Sequence, residues 1–276
     1  MNGVEYDDPE DEHDFEEGRY LYCVVEASEG ATLTVEGIDG TPVSVLAEGG
    51  VGAVLQPVDS VYDSEDMTQV RHWLLTHQQV VETAGSAFGT PIPFRFDTIF
   101  KGDDETVSVW LRDNHQELSE GLDWLAGCWE YRIEVRWNEQ HMRETLREED
   151  PRLGELARRI EEAESGTSYL LESKFEQRLT DRLQQRSEEL EARLVEGIRP
   201  YTVDFQVSTT TARVLPEDDE SSLDTAVQLS VLADSDHEER IGKQLELIAD
   251  QPQYEVRYTG PWPPYSHAPE IGGGEP

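Results

Sequence analysis

The chain has 276 residues, and 22 Lys and Arg against 60 Asp and Glu set its formal charge at −38 and its pI near 4.3. A surface so acidic cannot neutralise a phosphate backbone by counterion release, which excludes nucleic acid as a partner, and it disfavours anionic membranes on the same ground. Disorder is excluded too, because 36% of the residues are hydrophobic and they fall in periodic blocks.

The bases are nearly all Arg, with Lys only at 101, 174 and 243. Self-repulsion at this charge is relieved by salt, since the Debye length falls from roughly 10 Å at 0.1 M to roughly 3 Å at 1 M. The composition therefore suits a salt-accumulating cytoplasm. A chain of this length buries roughly three quarters of its extended surface, enough for two modest cores, and two folded units are expected. Cys23 and Cys128 stand far apart inside apolar segments and read as buried thiols, not as a disulfide or a zinc site. The N-terminus lacks the basic and apolar regions of a signal peptide, and no apolar run approaches the roughly 18 residues of a membrane span. A cytosolic protein is expected.

Residues 1–18 read as a solvated acidic tail, with Phe15 as their one large apolar side chain near the fold. Tyr20 to Val25 form a buried strand, and a Gly-rich connection through Gly37, Gly40, Gly49 and Gly50 leads to a second strand at Val51–Val58. Val70, Trp73, Leu74, His77, Val80, Val81 and Ala84 then mark one face of a helix over 65–85. Residues 92–100 read as a strand opened by Pro91 and Pro93, 103–126 as one helix, and 129–137 as a strand with Tyr131, Ile133, Val135 and Trp137 on one face. From 138 to 199 the composition turns to Glu, Arg, Leu and Gln, and breaks at Pro151 and Gly166 predict a helical hairpin. Its long arm carries a stripe from Leu171, Phe175 and Leu179 to Leu194 and Ile198. Strands at 200–214 and 226–232, a turn at 216–220, a helix at 236–250 and a strand at 254–258 complete the order.

These elements predict an α+β protein of two units: an N-terminal α/β sandwich over 19–128 and a ferredoxin-like βαββαβ domain over 129–265, with the hairpin inserted and a flexible tail at 266–276. A short echo links the first and last strands of the second unit, Glu134-Val135-Arg136-Trp137 and Glu255-Val256-Arg257-Tyr258.

No constellation of catalytic residues emerges. Gly85-Ser86-Ala87-Phe88-Gly89 imitates a nucleophile elbow, but the serine is one position early and a helix precedes it. His72 and His77 stand about 140° apart on their helix and cannot share a metal. His77 alone, on the apolar face, reads as a core histidine. Gly49-Gly50-Val51-Gly52 lacks the Lys and Ser/Thr of a phosphate loop and leads into a strand, so a tight turn is expected. The segment Pro261-Trp262-Pro263-Pro264-Tyr265 is stiff and aromatic. It suits either a plug between the units or a polyproline ligand for a partner.

Arg19-Tyr20-Leu21-Tyr22, His77, Thr90 to Phe100, Gly166 with Tyr169-Leu170 and Lys174, and Thr259 to Tyr265 together resemble the gas vesicle protein family GvpL/GvpF, nearest its halophilic L-type members. The resemblance spans nearly all of 19–265, with Asp97 standing where the family pattern usually has Gly. It implies a non-enzymatic role in gas vesicle assembly in the cytoplasm and at the vesicle, without cofactor or metal. The implied partners are the hydrophobic shell protein GvpA and other accessory Gvp proteins, GvpF and related chains; nucleic acid and membrane are not among them.

Shell subunits must expose apolar surface before they polymerise, and an acidic carrier would keep them from coalescing. Candidate contact residues are Pro91, Phe94, Arg95 and Phe96 on the first unit, Tyr169, Leu171, Lys174, Phe175 and Leu179 on the hairpin, and Trp262, Pro263, Pro264 and Tyr265 at the end. The competing reading is a small-ligand enzyme on the same scaffold, with its site near Trp262. The charge itself predicts salt-dependent folding: circular dichroism at about 0.1 M KCl is expected to show partial loss of structure that about 3 M KCl restores.

Overall fold

The computed structural model describes residues 14–163, 165–207 and 223–271. Its first strand, β1 (Asp14–Glu26), is the axis of a five-stranded sheet with β2 (Ser44–Glu48), β3 (Val51–Ser60), β4 (Ile92–Pro93) and β5 (Ile99–Lys101). β3 pairs antiparallel along nearly the whole of β1, and β4 and β5 divide its other edge. Every residue from Tyr20 to Val25 is buried, which is why this strand shows no polar alternation. Tyr20, Tyr22, Cys23 and Val25 pack with Trp73, Val80, Val81 and Ala84 of α1 (Met67–Phe88). The helices α2 (Asp104–Asp113) and α3 (His115–Leu125) follow β5.

Several expected boundaries move. Order does not begin at Arg19, because β1 starts at Asp14. Gly18 pairs with Val58 and Lys101, and the Lys101 ammonium sits 5.9 Å from the centre of the Phe15 ring. The rest of the acidic tail, residues 1–13, lies outside the described residues. Gly49 and Gly50 close a two-residue hairpin at φ 61° and 102°, a pair of left-handed conformations that glycine adopts without strain. The strand β2 that this turn pairs with β3 was not expected, because its five residues are short and only half-buried. The single strand expected at 92–100 is two short ones, separated where Asp97 takes φ 65°. The single helix expected at 103–126 divides at Asn114, whose side-chain amide donates to the Trp110 carbonyl.

The second sheet has the order β7-β8-β6-β9, formed by β6 (Cys128–Trp137), β7 (Asp204–Val207), β8 (Asp224–Asp234) and β9 (Tyr254–Trp262). Residues 208–222, which include the expected turn at 216–220, lie outside the described residues. Helix α7 (Glu238–Ala249) buries Ile241, Leu245 and Ile248. The expected hairpin is three helices, α4 (Glu139–Glu149), α5 (Pro151–Glu162) and α6 (Ser165–Ile198). Pro151 begins α5, because proline at the first turn loses no helical hydrogen bond. Only Met142 and Leu146 mark the buried face of α4, which leaves it little periodicity of its own.

The antiparallel echo now has a physical meaning. β6 and β9 are neighbours, and Glu134 faces Arg257 at 4.0 Å while Arg136 faces Glu255 at 3.6 Å. Trp137 and Tyr254 stack, with ring centres 6.4 Å apart. A Glu-x-Arg strand is complementary to another Glu-x-Arg strand running the other way.

Compactness divides the described residues into one unit running up to Glu130 and resuming at Pro261, and a second unit of Tyr131–Gly260. The sequence reading placed the final segment at the end of the second unit and made 266–276 a flexible tail. The structure instead seats Tyr265–His267 as a 3₁₀ turn of the first unit, with His267 buried. The cause is Glu130, a buried carboxylate that accepts from the Ser266 backbone N–H at 2.7 Å and from its hydroxyl at 3.2 Å.

Asp150 has the comparable position in the second unit. Its buried carboxylate caps α5 by accepting from the N–H groups of Arg152 and Leu153 at 2.9 and 3.4 Å, and it pairs with Arg178 at 2.7 Å and Arg182 at 3.3 Å on α6. Replacing it with Ala removes a cap and leaves two half-buried guanidinium groups without their carboxylate. Denaturant titration is expected to show a loss of about 2–3 kcal/mol for Asp150→Ala, against a smaller loss for Asp150→Asn, which keeps the capping oxygen.

Candidate functional site

The motif residues of the first unit meet at His77. The hydroxyl of Tyr20 lies 2.7 Å from His77 Nδ1, and His77 Nε2 lies 3.2 Å from the Phe94 carbonyl. The Phe94 carbonyl can only accept, so Nδ1 is left as the acceptor of the Tyr20 hydroxyl, whose oxygen in turn accepts from the Asp97 backbone N–H at 3.2 Å. His77 therefore carries its proton on Nε2 and donates it to Phe94. Burial is the main reason its pKa is pushed down to about 4, with the Phe94 carbonyl acting in the opposite sense.

A second network lies beside the first. Tyr22 donates to Gln56 Oε1 at 2.5 Å and accepts from the Ile38 N–H at 3.0 Å, while the Gln56 amide donates to Tyr62 at 2.8 Å. Gly37 makes room for it: a Cβ there would stand 2.0 Å from Gln56 Oε1 and 2.6 Å from the Tyr22 hydroxyl. Burial raises the pKa of all three phenols, that of Tyr62 to about 12, so they act as neutral hydrogen-bonding groups. Asp97 takes a left-handed backbone, the conformation that suits the glycine expected there, and its carboxylate accepts from the Tyr62 N–H at 3.1 Å. Phe96 packs edge-on to Tyr20 and His77, and Tyr265 lies 6.3 Å from the His77 ring.

This arrangement is built for rigidity. Its imidazole is neutral, buried and doubly hydrogen-bonded, leaving no lone pair or proton to offer a substrate. Two grooves stand elsewhere, one of about 250 Å³ between the C-terminal part of α6 and α7, the other of about 560 Å³ beside Phe15 and Ser60. Neither includes a histidine or cysteine, and among the described residues no three His, Cys, Asp or Glu side chains gather as metal ligands. No helix among them is long and apolar enough to cross a membrane.

Several candidate contact residues prove internal. Pro91 is buried near Gly85 and Trp129, while Leu171 and Leu179 are buried along α6, and Pro263 and Pro264 are buried too. These five cannot present a surface. Phe94 packs on Trp110, and Phe96, Phe175, Trp262 and Tyr265 are half-buried. Arg95, Tyr169 and Lys174 are exposed, and so is Leu170, which the sequence reading placed in the motif but not among the contacts. Helical periodicity marked the buried stripe; exposure of Tyr169 and Leu170 follows from their lying off that stripe, a signal present in the spacing.

The neutral state of His77 sets a pH dependence. Unfolded histidine takes up a proton near its usual value of about 6.5, whereas the folded ring resists until about 4. Stability is therefore fully present above about pH 6.5 and declines as pH falls toward 4, by on the order of 3 kcal/mol. Denaturation midpoints between about pH 7 and 5, above most carboxylate titrations, are expected to fall with pH in the native chain and to lose much of that slope in His77→Gln.

The family model described as "Gas vesicle synthesis protein GvpL/GvpF" matches residues 18–269. Gas vesicle protein L1 of Halobacterium salinarum is 43% identical over 92% of each chain, and gas vesicle protein L of Haloferax mediterranei is 35% identical over 93% of this chain and 89% of its own. The fold is similar to that of GvpF from an Anabaena species, with a TM-score of 0.75 at 21% identity, covering 92% of this chain and 98% of the other. The chain belongs to the GvpL/GvpF family of gas vesicle proteins.

Proposed function

We propose that this chain is a non-enzymatic accessory factor of gas vesicle formation that binds the shell protein GvpA and other Gvp accessory proteins, GvpF and its relatives among them, as vesicles nucleate. It works in the cytoplasm and at the vesicle. The second unit is read as a ferredoxin-like domain, a reading supported by the order β7-β8-β6-β9, with the first and third strands at the centre.

The observation that carries the binding role is Tyr169 and Leu170 on α6, 74% and 62% exposed beside the exposed Lys174. Two large apolar side chains left in water at one point of a very acidic chain suit capture of an apolar partner surface, while the surrounding charge keeps the complexes apart. The neutral, doubly hydrogen-bonded state of the buried His77 supports the non-enzymatic part.

A pull-down with GvpA in about 3 M KCl tests this. Tyr169→Ser with Leu170→Ser is expected to keep the native circular dichroism spectrum, because neither side chain is in the core, and to weaken GvpA capture about tenfold or more. Undiminished capture by the double variant would remove this surface, and a native chain that captures no GvpA would remove the role.

A further inference from the structure

We propose that the outer edge of β9 is a self-complementary strand-pairing surface, on which a second copy of this chain adds antiparallel to the second unit's sheet about Val256. Among the described residues β9 ends its sheet, as a strand of nine residues. A terminal strand offers backbone donors and acceptors on its outer side.

Edges are commonly guarded by charge of one sign, which repels a second copy. β9 carries both signs, Glu255 and Arg257, on the same face of the strand. An antiparallel copy centred on Val256 sets Glu255 opposite the other copy's Arg257, twice, and Tyr254 opposite Tyr258, twice. A parallel copy in register would set like charge on like, so the pattern selects one orientation.

The same sheet already contains this pairing. Glu134-x-Arg136 of β6 meets Arg257 and Glu255 of β9 in the antiparallel sense, at 4.0 and 3.6 Å, with Trp137 stacked on Tyr254. The outer edge would repeat on a second copy what the inner edge does within the chain. Glu255 and Arg257 keep 52% and 41% of their side-chain surface exposed, so each has room for a further contact. Beyond Gly260, at φ 136°, Pro261 has no N–H to offer a second copy, although the strand itself runs on to Trp262. Such a contact belongs to the small, reversible class of interfaces.

Cysteine crosslinking tests the geometry without altering charge. Facing residues of an antiparallel pair have Cα atoms about 4.5–5.5 Å apart, within the about 4.4–6.8 Å that a disulfide spans. Val256→Cys, at the two-fold centre, is expected to form a covalent dimer under mild oxidation at about 100 µM protein. Thr259→Cys, whose counterpart would lie roughly 20 Å away, is not. Cys23 and Cys128 are buried and contribute little background.

Adding Arg257→Glu to the Val256→Cys chain opposes like charges and is expected to slow the crosslink about fivefold or more. A Val256→Cys chain that stays monomeric, or that crosslinks no faster than Thr259→Cys, overturns the proposal. An unchanged rate with Arg257→Glu overturns the register.

Discussion

Two phenolic hydroxyls buried on the central strand constrain most of the first unit. A buried hydroxyl without a partner costs on the order of 1–3 kcal/mol, so Tyr20 and Tyr22 can lie in the core only where other elements meet them. Tyr20 requires His77 from α1 and the Asp97 N–H from the β4–β5 connection; Tyr22 requires Gln56 from β3 and the Ile38 N–H from the turn before β2. Each bond reaches a different part of the chain. The hydroxyls thus select one docking position for the helix and the two loops, which apolar packing alone would leave free to slide.

The second unit is held by a different device. Residues 138–199 contain 11 of the 22 bases in the chain. Five of these form bridges between helices: Arg143 to Glu176, Arg147 to Glu161, Arg186 to Glu149, and Arg178 and Arg182 to Asp150. Exposed pairs of this kind contribute little singly. Their arrangement matters more, because a fold with sixty acids gains most when each scarce base joins two elements, and the planar guanidinium can reach two carboxylates where an ammonium directs one point charge. The preference for Arg over Lys has this use on the helices, beside its effect on the surface.

What could be read from the residues followed their periodicity. α1 was legible because Trp73, His77, Val80, Val81 and Ala84 fall on one face and are buried there, and β6 because its alternating residues line one side. The losses occurred where one residue overrides a pattern. Asp97 breaks a strand by taking a left-handed backbone, Asn114 divides a helix, and Glu130 draws the final segment onto the first unit through bonds that no local pattern announces. The same holds for the site. The motif residues were identifiable one by one, but the buried tyrosine–histidine contact joins positions 57 residues apart, and that Pro91 and Pro263 are internal is decided by packing.

The return of the final segment to the first unit governs the order in which the molecule can be made. Tyr131–Gly260 is continuous in the chain and can close on itself as soon as it leaves the ribosome, whereas Glu130 waits for Ser266. During synthesis the half that emerges first is the half completed last, and for the whole time that the second unit is being translated Glu130 lacks its two bonds to Ser266. Vectorial folding of this chain runs inward from its end, and loss of the turn at Tyr265–His267 would injure the beginning of the protein.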